Sequence, residues 1–153
     1  MTDAASIGGT LGLGPIDQVS YAVRNLDEAL PRYAALFGPF RTMSVKLDGL
    51  AMRGREVKAE LNLGFGRSGD LEVELVEVVS GDFPQTEFLR RHGEGLHHVR
   101  FLVEDVPAKI EELTREGYQL VLTGLGGQVL FAYLEAPDFL GGSLIELLRK
   151  PAS

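Results

Sequence analysis

Four side chains able to hold a metal ion or move a proton sit at matching places in the two halves of the 153-residue chain. Gln18 and His98 fall in the strand-like run that begins each half. Glu74 and Glu146 fall in the run that ends it. Together they offer one imidazole, two carboxylates and one amide oxygen, a hard-to-borderline donor set without sulfur. Such a set suits an octahedral divalent ion (Zn, Ni, Co, Mn or Fe), with two positions left for water or substrate. Taken singly, each has an ordinary structural explanation: a satisfied histidine, a solvated strand carboxylate, a surface amide. Their joint register with an internal duplication carries the metal reading.

The elements that must position these residues follow from the hydrophobic pattern. Residues 16–23 alternate, with Val19, Tyr21 and Val23 opposite Gln18, Ser20 and Ala22, as in a half-buried strand. Asn25 caps a helix expected over 27–37, where Leu30, Tyr33, Ala34 and Phe37 form one stripe. Strands are expected at 40–47, 56–65 and 71–79, so the first half reads β-α-β-β-β. A connector over 80–95 holds a short helix near 84–91. The pattern then restarts: a strand over 96–103, a helix over 106–116 capped by Asp105, and strands at 118–123, 128–135 and 144–149. Gln18, Val19, Tyr21 and Val23 match His98, Val99, Phe101 and Val103, and VEL at 73–75 parallels IEL at 145–147.

The expected fold is therefore α+β. Two tandem βαβββ modules, 14–79 and 96–149, form a curved mixed sheet with the helices outside. The whole is one domain over 14–149, preceded by a flexible tail over 1–13. If each sheet buries its apolar face against helices, the polar faces are left to line a concave trough. By that parity Lys58, Glu60, Asn62, Glu72 and Arg100 face the trough; Lys58, Glu60, Asn62 and Arg100 are the candidate substrate contacts. His97 should point away from His98 and serve as a core or surface histidine.

The segments IDQVSYAVRNLDEAL, GEGLHHVRFLVEDV and GGSLIEL, within the repeated module, resemble the vicinal oxygen chelate superfamily. That superfamily contains glyoxalase I, methylmalonyl-CoA epimerase, extradiol dioxygenases and bleomycin-resistance proteins. GLHHV and GGSLIEL look most like the epimerase branch. The resemblance implies that His98 and Glu146 are metal ligands, and that Glu74 matches a ligand position of glyoxalase I. The first strand departs from the usual IDHV: Gln18 stands where a His is common, an arrangement also found in some glyoxalase I enzymes. The substitution speaks against an extradiol dioxygenase, which uses two His and one carboxylate. The implied activity is that of an isomerase, epimerase or lyase. Its substrate would be a small carbonyl compound, of acyl-CoA or thiol-adduct type, passing through a metal-stabilised enolate. Glu146, with Glu74 second, would be the proton-transferring carboxylate. The alternative is a non-catalytic small-molecule binder of the bleomycin-resistance kind.

Composition narrows the partners. Zero Cys excludes disulfides, thiolate ligands and Cys nucleophiles. A net charge of −7 argues against nucleic acid. No run approaches the ~18 apolar residues of a membrane span, and the N-terminus lacks the basic start of a secretory signal. The expected setting is cytoplasmic and the expected assembly a homodimer. Arg53, Arg55, Lys58 and Arg67 form a local basic group able to meet one anionic ligand, a solvated loop being the simpler reading.

Overall fold

The computed structural model describes residues 9–151. Among these residues eight strands and two helices form two copies of one module, with a third helix between them. The first copy is β1 (Ile16–Ala22), α1 (Leu26–Phe37), β2 (Arg41–Met52), β3 (Arg55–Ser68) and β4 (Leu71–Gly81). After the connecting α2 (Pro84–His92) come β5 (Gly95–Val103), α3 (Val106–Arg115), β6 (Gln119–Gly126), β7 (Val129–Glu135) and β8 (Leu144–Arg149). Both module helices start as their caps dictate: Asn25 Oδ1 accepts from the Glu28 amide at 2.9 Å, and Asp105 Oδ1 from the Ala108 amide at 3.0 Å. Strands β2 and β3 run several residues beyond the expected bounds; the added end of β2 carries the buried Leu50 and Met52 into the core. No helix among the described residues is long and apolar enough to cross a membrane.

In each module the first and last strands pair in parallel, β1 with β4 and β5 with β8, and the remaining pairs are antiparallel. The modules join along β1 and β5, antiparallel, and meet again where Ala51 and Met52 of β2 pair with Thr123 and Leu122 of β6. The expected curved sheet thus closes into a barrel ordered β1-β4-β3-β2-β6-β7-β8-β5. Val23, Leu26, Ala29 and Leu75 form the core beneath α1, while Val103, Val106, Leu113, Ile145 and Leu147 form that beneath α3. A third cluster includes Leu50, Leu61, Leu63, Val76 and Phe131.

That third cluster corrects one expectation. The apolar residues of β3 do not pack on a helix. Leu63 pairs with Val76, and Phe65 with Glu74, so the odd-numbered residues of β3 share the inward face of β4. The outward face under α1 is made of glycine instead. A Cβ added at Gly66 would lie 3.0 Å from the Phe40 ring, and one at Gly64 3.3 Å from Leu26. The helix approaches closely there because no side chain intervenes.

The expected tail over 1–13 lies mostly outside the described residues. Within its described part, Leu11 and Leu13 pack against the core beneath α3. Lys109 Nζ donates to the Leu11 carbonyl at 2.9 Å. The basic group is largely consumed internally: Arg53 pairs with Glu87 and Glu135, Arg55 with Asp82, and Arg67 donates to the Gly69 and Asp70 carbonyls.

Candidate active site

Five neighbouring strands bring polar side chains to the inside of the barrel. Parallel pairing sets Gln18 beside Glu72 and Ser20 beside Glu74. Across the module junction Ser20 faces His98 and Gln18 faces Arg100. Pairing of β5 with β8 sets Arg100 beside Glu146, and β7 adds Tyr133 beside Glu146. Paired residues project to the same face of a sheet. The duplication therefore delivers one donor from the first and last strand of each module to a single place.

The donors gather around one atom. His98 Nε2 lies 3.1 Å from Gln18 Oε1, 3.0 Å from Glu146 Oε1 and 3.7 Å from Glu74 Oε1. Gln18 is oriented by its own amide, whose Nε2 donates to Glu72 Oε1 at 2.7 Å and so turns Oε1 inward. Glu74 Oε1 accepts from Ser20 Oγ at 2.7 Å. Among the described residues no three His, Asp or Glu side chains form a group placed to hold an ion. Two of the donor spacings nevertheless suit one. Neighbouring ligands of a six-coordinate ion with bonds of about 2.1 Å stand about 3.0 Å apart, the spacing found from His98 to Gln18 and Glu146. Glu74 would have to turn from Ser20 to close the set. Gln18, His98 and Glu146 are the residues whose donors could meet at an ion, with Glu74 able to join only on that turn.

Burial decides the electrostatics. Gln18 and His98 are fully buried, and the Glu146 side chain is only 9% exposed. Burial pushes the Glu74 carboxyl up to about 8, and the nearby Glu146 carboxyl adds to the rise. Burial likewise pushes Glu146 up to about 8, with Arg100 opposing and Asp17 and Glu72 reinforcing. The His98 imidazole is pushed down to about 3, by burial and then by the Arg100 charge, so it is neutral and has a lone pair to offer. Burial, followed by Glu146 and Glu74, holds the Tyr133 hydroxyl well above its ordinary range. Arg100 keeps its charge against burial through hydrogen bonds to Asp17 at 2.9 and 2.8 Å and the nearby carboxylates of Glu146 and Glu72.

A cavity of ≈ 490 Å³ opens onto this cluster. Its walls are mostly apolar, with Val45, Leu47, Leu61, Leu63, Phe131 and Leu148 prominent; Glu74, Glu146, Arg100, Tyr133 and Lys46 supply its polar lining. Of the expected substrate contacts, Arg100 lines the cavity. Lys58, Glu60 and Asn62 do not: Glu60 pairs with Lys46 in solvent, Asn62 accepts from Ser44 on the outer face, and Lys58 is exposed beside them. The reason is the inverted face of β3, whose apolar residues serve as cavity wall. His97 is also misplaced by simple alternation. The register passes from Ser20–His98 to Tyr21–Leu96, so β5 carries a bulge at His97. Its Nδ1 lies 2.8 Å from that of His98.

Sequence reasoning placed Glu72 on the trough-facing parity and missed Ser20, Asp17, Tyr133 and Gln85. Ser20 was findable, standing two residues from Gln18 on the same strand face. Tyr133 was not, because residues 129–134 are apolar throughout and give no parity. Gln85 reaches Tyr133 from α2, its Nε2 donating to the hydroxyl at 3.3 Å, a contact no local pattern announces.

Comparison with known proteins bears on family and fold. The chain is 28% identical over 138 residues to the uncharacterized protein YqjC of Bacillus subtilis, covering 86% of this chain and 89% of that one. It is 24% identical over 151 residues to the mitochondrial methylmalonyl-CoA epimerase of Dictyostelium discoideum, covering 95% and 84%. The crystal structure of methylmalonyl-CoA epimerase from Mycobacterium tuberculosis superposes with a TM-score of 0.65 at 21% identity, over 98% of this chain and 97% of the other, a likeness of fold. The sequence model of the Glyoxalase/Bleomycin resistance protein/Dioxygenase superfamily matches residues 17–132, and the chain belongs to that superfamily.

Proposed function

We propose that the protein is a metal-dependent epimerase or isomerase acting on a small carbonyl compound of acyl-CoA or thiol-adduct type. The observation that supports this is the gathering of Gln18, Glu146 and Glu74 oxygens 3.1, 3.0 and 3.7 Å from His98 Nε2 at the polar end of an otherwise apolar cavity. A divalent ion held by Gln18, Glu74, His98 and Glu146 would supply Lewis-acid polarisation of a substrate carbonyl.

The chain's own residues then handle the proton. A buried carboxylate at the polar end of the cavity can take a proton from the substrate and return it. Glu146 is assigned this role, with Glu74 second. Removing the proton from the carbon beside the carbonyl gives an enolate; returning it to the opposite face epimerises that carbon, and returning it to the neighbouring carbon isomerises the substrate. Tyr133, fixed by Gln85 and paired beside Glu146, keeps its proton and can donate a hydrogen bond to developing oxygen charge. The apolar walls exclude water and hold the remainder of the substrate.

The walls also favour a second reading, a binder that sequesters a flat apolar molecule against Phe83, Phe131 and Tyr133. Incubation in D₂O with 2-methyl-branched acyl-CoA esters, methylmalonyl-CoA among them, separates the two. Deuterium entering the α-carbon, and entry slowed at least about 100-fold in Glu146→Gln, supports catalysis. No exchange across the panel with Zn²⁺-, Co²⁺- or Ni²⁺-loaded protein moves the assignment to the binder.

A further inference from the structure

The bulge in β5 places two buried imidazoles in contact. His97 and His98 are both fully buried, their Nδ1 atoms are 2.8 Å apart and their ring planes stand at 84°. One proton occupies that gap, so one ring donates and the other accepts. His98 directs its other nitrogen at Gln18 and Glu146. The His97 ring is clamped edge-on by Phe88 and Tyr133, with centroids at 5.3 and 5.6 Å. Its Nε2 has no hydrogen-bond partner among the described residues and borders a cavity of ≈ 70 Å³ lined by Arg53, Glu87, Arg91 and Glu135.

A ligating imidazole ordinarily donates its second N–H to a fixed acceptor, which sets the tautomer and holds the ring plane. For His98 the partner at Nδ1 is another histidine. We propose that His97 is a positioning residue for metal binding: its Nδ1 accepts the Nδ1–H of His98, leaving the His98 Nε2 lone pair for an ion shared with Gln18, Glu74 and Glu146. This rests on the metal reading above. A histidine suits the place because it can reverse roles. Without an ion, the oxygens around Nε2 draw the His98 proton to that side, and His97 then donates at Nδ1. A carboxylate in its position could only accept. The bulge serves this arrangement, since regular alternation would send His97 to the other face of β5.

The test compares Zn²⁺ affinity, by chelator competition, in the unaltered protein, His97→Leu and His97→Asn. Leucine removes the acceptor, and the affinity falls about 10–100-fold. Asparagine places an amide oxygen near the lost Nδ1 and restores affinity to within about fivefold of the unaltered protein. In the Zn²⁺-loaded state, ¹⁵N-resolved NMR shows a slowly exchanging His98 Nδ1–H in the unaltered protein and in His97→Asn. Equal affinity in His97→Leu overturns the proposal and leaves the metal reading standing, as does an equal fall in both variants, which marks a packing role. No Zn²⁺ binding by the unaltered protein removes both. If His97→Leu does not fold, the NMR decides: a His98 Nδ1–H exchanging at solvent rates in the Zn²⁺-loaded unaltered protein overturns the proposal.

Discussion

Raising the pH of the metal-free protein from 7 to 9 should destabilise it, and the two buried carboxyls set the amount. Glu74 and Glu146 are each raised to about 8 in the folded protein against an ordinary value of 4.5. The folded state therefore holds protons that the unfolded chain has released. The stability this contributes is fully present below pH 4.5 and is lost as pH rises through about 8. Between pH 7 and 9, linkage gives a loss of between 1 and 2 kcal/mol per carboxyl. His97 and His98, both pushed down by burial, act with the opposite sign. Above pH 7 they offset less than about 1 kcal/mol, because the unfolded rings are already mostly neutral. The net loss is roughly 2–3 kcal/mol, a fall of about 5–10 °C in midpoint for a chain of this size. Thermal unfolding followed by circular dichroism in chelator at pH 7, 8 and 9 measures it. Glu146→Gln removes one of the two titrations and should about halve the drop. A midpoint that is flat or rises over this range in the unaltered protein refutes the reasoning.

Three further outcomes follow from the same coordinates. Because Zn²⁺ needs ionised carboxylates, the rise in midpoint on adding it should be larger at pH 8 than at pH 7, and the reverse order in a thermal-shift titration would count against Glu74 and Glu146 as ligands. A Cβ at Gly81 would sit 2.1 Å from the Lys58 carbonyl oxygen, whereas one at Gly54, with a similar positive φ, meets nothing within 4 Å. Urea unfolding should therefore show Gly81→Ala costing about 3 kcal/mol and Gly54→Ala about 1 kcal/mol; equal costs would contradict the close approach. Arg100→Leu strands Asp17 and Glu72 without their cation and should cost roughly 2–4 kcal/mol, while Lys58→Ala, Glu60→Ala and Asn62→Ala each stay within about 0.5 kcal/mol, a ranking read from chemical denaturation.

Much of this protein could be read along the chain because the signals are local. Asn25 and Asp105 cap helices within a few residues of themselves, and alternation in 16–23 and 96–103 needs no knowledge of what packs opposite. The duplication projects those local signals onto space, and so Gln18, Glu74, His98 and Glu146 could be picked out as a set. Three features depended on contacts between distant segments. The inward face of β3 is the apolar one because the barrel closes on itself while Gly64 and Gly66 make room for α1 and Phe40; alternation gives two faces and cannot say which is inside. The meeting of His97 with His98 depends on a bulge measured against β1, and a bulge exists only relative to a partner strand. The displaced pKa values of Glu74, Glu146 and His98 arise from removing these groups from water, which happens only when five strands close around them. Residue type supplied the candidate donors, and burial gave them their chemistry.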